Sequence, residues 1–212
     1  MTTEDLIASL TAEVRPVRKG LLRSRVMAGF AVGISITLML FLLFWGVRPD
    51  VGLAVRDPFF AAKTILSATA MIIAFPIVMS LARPGARTRA AGWIWTVPAG
   101  LACCVAMALL TRPLSGWLTD WVGHSILTCL LSIPMLSLPI LAGLLAGLRH
   151  GAPEHPVRCG AFAGLLAGAT ATLPYSIYCT EDSPLFYGTW YVLAIGSVTC
   201  AGAWLGSRVL RW

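Results

Sequence analysis

Cutting the chain at every charged residue leaves six uncharged stretches, 26–47, 64–82, 90–111, 121–148, 159–180 and 183–207. A helix needs roughly 20 consecutive, mostly apolar residues to cross a bilayer, and each stretch is about that long or longer. The pattern predicts an all-α polytopic membrane protein: a six-transmembrane-helix bundle with spans at about 26–47, 60–82, 90–111, 121–148, 159–180 and 185–207. Residues 1–25 form a separate polar-rich N-terminal segment, and 26–212 a transmembrane domain.

Composition agrees. Of the 212 residues 58% are hydrophobic and 12% charged, with a mean hydropathy of +0.81, against roughly 25% charged in an average soluble domain. A soluble globular protein is excluded. The first stretch ends without a small-residue cleavage site, so it reads as an uncleaved span. The connecting loops are too short to hold an extramembrane catalytic domain.

Charge then orients the bundle. Twelve of the 16 Lys and Arg residues fall before span one, between spans two and three, between four and five, and after six. By the positive-inside rule both termini are cytoplasmic, an N-in and C-in arrangement. The net charge of +7 reflects that orientation and attraction to anionic lipid, so no direct nucleic-acid contact is expected.

Glycines at four-residue spacing recur: Gly29 with Gly33, Gly143 with Gly147, Gly160 with Gly164 and Gly168, Gly202 with Gly206. Such spacing lets helix backbones approach closely in lipid. The hexapeptide AGLLAG at 142–147 and 163–168 predicts close packing of the fourth span against the fifth. Pro76, Pro98, Pro134, Pro139 and Pro174 are expected to kink spans. Trp45, Trp117, Trp121, Tyr178, Tyr187 and Trp190 at one face, with Trp93, Trp95, Trp204 and Trp212 at the other, look like interfacial belts. None of the six stretches contains Asp, Glu, Lys or Arg, which argues against a proton-coupled pump. Neither HExxH nor GxSxG occurs, and no carboxylate pair lies at membrane depth, so the chain does not read as an enzyme.

Six cysteines remain as candidate chemistry. Cys103, Cys104, Cys159 and Cys200 read as apolar filling. Cys129 and Cys179 both lie near the outer face, where two thiols could pair as a disulfide, bind a soft metal ion of the zinc or cadmium type, or simply pack. His124, Glu181 and Asp182 are near enough in sequence to supply further ligands or to shift thiol ionisation. No resident cofactor is required.

Residues 2–15 read as a short amphipathic helix, capped by Thr2 or Thr3, with Glu4 and Asp5 in its first turn and Pro16 as its stop. Leu6, Leu10, Val14 and Val17 line one face with Ile7 beside them, next to Arg15 and Arg18. A helix that short is marginal alone in water and needs either a protein partner or the membrane surface.

Five segments carry a resemblance that runs end to end: LIASLTAEVRPVRKG (6–20), GVRPD (46–50), Asp57–Pro58, YCTEDSPLFYGTWY (178–191) and the terminal RVLRW. Together they resemble the NrsF family of six-span bacterial membrane proteins. The resemblance implies an anti-sigma factor that holds an extracytoplasmic-function sigma factor at the inner membrane and releases it under heavy-metal or oxidative stress. It also implies that the family's two characteristic cysteines correspond to Cys129 and Cys179, and that the sigma factor is bound through Leu6, Ile7, Leu10, Val14, Arg15, Val17 and Arg18. The competing expectation is a small transporter of metal or neutral solutes, for which kinked helices and paired cysteines would line a path. A plain membrane anchor would leave the capped N-terminal helix unexplained.

Overall fold

A computed structural model of the chain describes residues 2–5, 9, 20–85 and 89–211. Among them there are helices and connecting loops and no strand. In chain order the helices are α1 (Leu21–Phe44), a single turn α2 (Val51–Ala54), α3 (Pro58–Leu81), α4 (Thr96–Thr111), α5 (Trp117–Val122), α6 (Ile126–Leu148), α7 (Pro156–Tyr178) and α8 (Pro184–Val209). A 3₁₀ turn, Arg89–Trp95, leads into α4, and a shorter one, Leu114–Gly116, into α5.

Helix starts follow local chemistry. Asp57 caps α3 by accepting from the Phe59 N–H at 2.8 Å, and Pro58 takes the first helical position, where its missing N–H costs nothing. Pro156 and Pro184 open α7 and α8 in the same way. Pro98, expected to interrupt a span, falls in the first turn of α4 because that helix begins only at Thr96. Pro76, Pro134, Pro139 and Pro174 do lie inside helices.

Five helices are long and apolar enough to cross a membrane: Leu21–Phe44, Pro58–Leu81, Gly92–Thr111, Ile126–Leu148 and Pro184–Val209. Helix α7 has the length but not the hydropathy. It is the central helix, packed against α3, α6 and α8, and its surroundings are protein. Glycine, alanine and hydroxyl residues suffice there, and the buried hydroxyls of Thr170 and Thr172 bond back to the carbonyls of Leu166 and Gly168 at 2.7 Å. Peripheral helices show the opposite composition: Leu42 and Leu43 of α1 are 67% and 69% exposed, and Leu110 of α4 is 85% exposed.

Two glycine seams organise the bundle. A methyl group on Gly29 would collide with the Gly143 carbonyl, and one on Gly33 would sit 2.6 Å from the Ile140 Cα. These contacts zip α1 to α6 in antiparallel fashion, continued by the Thr37 hydroxyl on the Leu136 carbonyl at 2.8 Å. The second seam joins α7 to α8, with Gly160 against Gly202 and Gly206, and Gly164 against Val198 and Thr199. The fourth and fifth spans, α6 and α7, do pack against each other as AGLLAG predicts, but not through its glycines. Its first copy seats α1 and its second seats α8, so the two copies do not close on one another.

The aromatic belts are also revised. Trp93, Trp95 and Trp204 are exposed as expected, but Tyr187 is buried at 3% exposure. Trp121 and Trp190 stack with centroids 5.9 Å apart, and the Trp190 indole donates to the Trp121 carbonyl at 2.8 Å.

Candidate functional site

At one end of the bundle the two cysteines singled out by depth come together. Cys129 lies in the first turn of α6, and Cys179 follows the last residue of α7 with extended backbone. Their sulfurs are 3.9 Å apart, both free thiols, with Cys129 wholly buried and Cys179 2% exposed. The Tyr175 hydroxyl donates to Cys129 Sγ at 3.0 Å. A disulfide measures about 2.05 Å, so this pair has to close by about 1.9 Å to form one. A cavity of about 290 Å³, lined in part by Trp45, Arg48, Ser125, Thr128 and Tyr178, reaches Cys179. Cys159 is buried filling as expected, whereas Cys103 and Cys200 are exposed on the outside of the bundle.

Of the residues expected as further metal ligands, the Glu181 and Asp182 carboxylates are otherwise engaged. The Glu181 carboxylate accepts from the His124 backbone N–H at 2.8 Å. Asp182 gives one oxygen to Lys63 Nζ at 2.6 Å and the other to Arg48 Nη1 at 2.9 Å. Among the described residues no group of three or more His, Cys, Asp and Glu side chains is placed to hold a metal ion. A structural zinc site takes four ligands. The thiols therefore stand as a two-donor set.

Lys63 and Arg48 were not foreseen at this site. The sequence places Lys63 one residue outside the uncharged stretch 64–82, at the outer end of the span expected at about 60–82. The structure starts α3 at Pro58, which puts Lys63 on its second turn with a side chain wholly excluded from solvent. The capped Asp57–Pro58 start was the available signal. Lys63 Nζ also bonds to the carbonyls of Cys179 at 2.9 Å and Glu181 at 3.4 Å. Arg48 reaches the same Cys179 carbonyl at 3.3 Å and grips Asp50 through two bonds of 2.7 Å. Those bonds push the Arg48 guanidinium further up and hold the Asp50 carboxyl below the usual carboxylate range. Both cations lie over the buried ring of Phe60, at 5.0 Å for Lys63 and 5.9 Å for Arg48. Two cations and two carboxylates make the cluster neutral, which is what burial demands.

Residues 10–212 match the family described as negative regulator of sigma F. The chain belongs to the NrsF family. It is 33% identical over 217 residues to the probable anti-sigma-F factor NrsF of Azospira oryzae, and 32% identical over 215 residues to the anti-sigma-F factor NrsF of Caulobacter vibrioides. Both alignments cover all of this chain and all of the relative. No solved structure matches. NrsF proteins carry the names of regulators rather than enzymes, in line with the absence of a catalytic motif.

The other candidate surface is largely out of view. Thr2 and Asp5 cap a helical start at Thr3: the Thr2 hydroxyl donates to Asp5 Oδ2 at 2.7 Å, and the Asp5 N–H returns a bond of 3.3 Å to that hydroxyl. These bonds hold the Asp5 carboxyl below its ordinary range. Leu6, Ile7, Leu10, Val14, Arg15, Val17 and Arg18 lie outside the described residues.

Proposed function

We propose that this NrsF-family chain is a membrane-bound anti-sigma factor that sequesters an extracytoplasmic-function sigma factor at the bacterial inner membrane, releasing it when heavy-metal or oxidative stress alters the Cys129–Cys179 pair. In this reading all six long helices cross the membrane, α7 included, with both termini in the cytoplasm. Residues 1–25 bind the sigma factor through Leu6, Ile7, Leu10, Val14, Arg15, Val17 and Arg18, and 26–212 form the sensor.

The observation that carries the proposal is the buried thiol contact at 3.9 Å, at the end of the bundle opposite the one where α1 begins. Antiparallel α1 and α6 connect the two ends, since Gly147 rests on Val26 near the start of α1 while Trp45 at its far end donates to the Ser132 hydroxyl. Of the two signals, oxidation is better supported than metal, because two thiols and a two-electron oxidant suffice for a disulfide whereas a zinc- or cadmium-type ion must recruit more donors. Either signal acts only by favouring one arrangement of the bundle over another.

Replacing both cysteines, Cys129→Ser with Cys179→Ser, should leave a reporter for the sigma factor silent under hydrogen peroxide and cadmium while the resting complex still co-purifies. A normal response from that double variant would refute the thiol proposal.

A further inference from the structure

A fully buried lysine inside an apolar helix has to be accounted for. Removing an ammonium from water costs several kcal/mol, offset only by good pairing. Lys63 has it: its three donors go to Asp182 Oδ1, the Cys179 carbonyl and the Glu181 carbonyl. Yet apolar residues of similar volume often stabilise such a position as well as a buried ion pair does. Stability alone gives no reason for the arrangement. Its placement does, because the cations on α3 and just beyond α1 converge on the backbone carbonyl of one member of the thiol pair.

The two thiols lie on helices of different glycine-seamed pairs. Cys129 is on α6, which the first glycine seam locks to α1; Cys179 follows α7, which the second seam locks to α8. Closing the sulfur gap therefore has two outcomes. Cys179 stands outside its helix on extended backbone, so if free it could swing across and absorb the change locally. With its backbone held, whatever part of the gap side-chain rotation leaves open is closed by α6, and by α1 with it.

We propose that Lys63, Asp182 and Arg48 are positioning residues that fix the Cys179 backbone, so that disulfide formation displaces the α1–α6 pair instead of relaxing in the loop after α7. The inference rests on the reading of Cys129 and Cys179 as the sensor. With hydrogen peroxide as oxidant, the thiolate of one cysteine attacks a peroxide oxygen, the O–O bond breaks, and hydroxide leaves, taking up a proton to become water. The resulting sulfenic acid condenses with the second thiol, forming the S–S bond and releasing a second water. Two thiols are oxidised and one peroxide is reduced.

The test uses the full-length chain in cells together with its sigma factor. Lys63→Met combined with Asp182→Leu removes the ion pair without stranding a charge, and Arg48 keeps Asp50 as partner. Arg48→Gln is the second variant, should the first fail to reach the membrane. Two quantities are read after a peroxide pulse: the disulfide, by alkylation and non-reducing electrophoresis, and sigma-dependent transcription. The expected result is wild-type disulfide yield with induction reduced about tenfold, inside the range that coupling between sites spans. Wild-type induction would overturn the proposal. Loss of the disulfide itself would also overturn it, since the cluster would then merely support the thiols. Cys129→Ser with Cys179→Ser, run alongside, separates the two claims: a normal response there sinks the sensor reading whatever the cluster does.

Discussion

The Tyr175 hydroxyl donates to Cys129 Sγ at 3.0 Å, and the Cys179 N–H donates to the Tyr175 carbonyl at the same distance. One turn of α7 thus delivers both a phenol and a second thiol to the cysteine on α6, because residues four apart share a helix face. That bond fixes the Cys129 side chain and keeps its sulfur beside Cys179 Sγ. Tyr175→Phe keeps the ring that packs 5.8 Å from Tyr178 and Tyr191 and removes only the donor. With a net hydrogen bond of about 1 kcal/mol, peroxide-driven disulfide formation should slow about fivefold. Alkylation-trapping kinetics measure it; a rate equal to wild type would show that the bond does not position the pair.

The two thiols differ in access. The cavity beside Arg48 touches Cys179, whereas Cys129 is at 0% exposure behind it. Cys179 is therefore the thiol a water-borne reagent meets first, and Cys129 resolves it. With the other four cysteines replaced by alanine, a membrane-impermeant maleimide should label Cys179 in the Cys129→Ser chain faster than Cys129 in the Cys179→Ser chain. Equal rates, or the reverse order, would contradict this assignment.

How much of this was legible in the sequence depends on what each residue touches. Hydropathy located the helices because most of them present an apolar outer face. It failed to distinguish α7, whose glycine, alanine and threonine surface is tolerated only because neighbours cover it. Small residues at four-residue spacing announced close packing, but four helices carry them, and spacing does not say which pairs close. Depth put Cys129 and Cys179 at the same level, while the 3.9 Å contact depends on how α6 and α7 pack. Lys63 was hidden for a simpler reason: a charge at the end of an apolar run reads as a solvated span end, although the Asp57–Pro58 cap starts the helix five residues earlier and carries Lys63 into its buried second turn.

The α1–α6 seam makes a prediction at Gly143. A methyl there meets the Gly29 carbonyl, backbone that no rotamer change can clear, so Gly143→Ala must push the helices apart. Overpacking of this kind costs about 1–3 kcal/mol. Gly196→Ala on α8 is the control, since nothing lies within 4 Å of its added methyl. Thermal unfolding in detergent should show a clear fall for Gly143→Ala and no fall for Gly196→Ala. Equal melting temperatures would mean that the seam is looser than described.

The N-terminal segment gives the last prediction, and its chemistry begins at the visible cap. The Thr2 hydroxyl and the Asp5 carboxylate satisfy one another and the Asp5 N–H, so a helix starts at Thr3 in a stretch too short to persist in water by itself. Completion of that helix then depends on what covers the apolar stripe of Leu6, Leu10 and Val14. If a sigma factor covers it, deleting residues 2–15 abolishes co-purification and turns on sigma-dependent transcription without stress, while the membrane domain still accumulates. Thr2→Ala with Asp5→Ala, which removes only the cap, should weaken the complex by a smaller factor, about fivefold for a cap worth ~1 kcal/mol. Undiminished co-purification after the deletion would move the binding site to the basic loops around Arg83 and Arg149, and the cap variant would then have no effect.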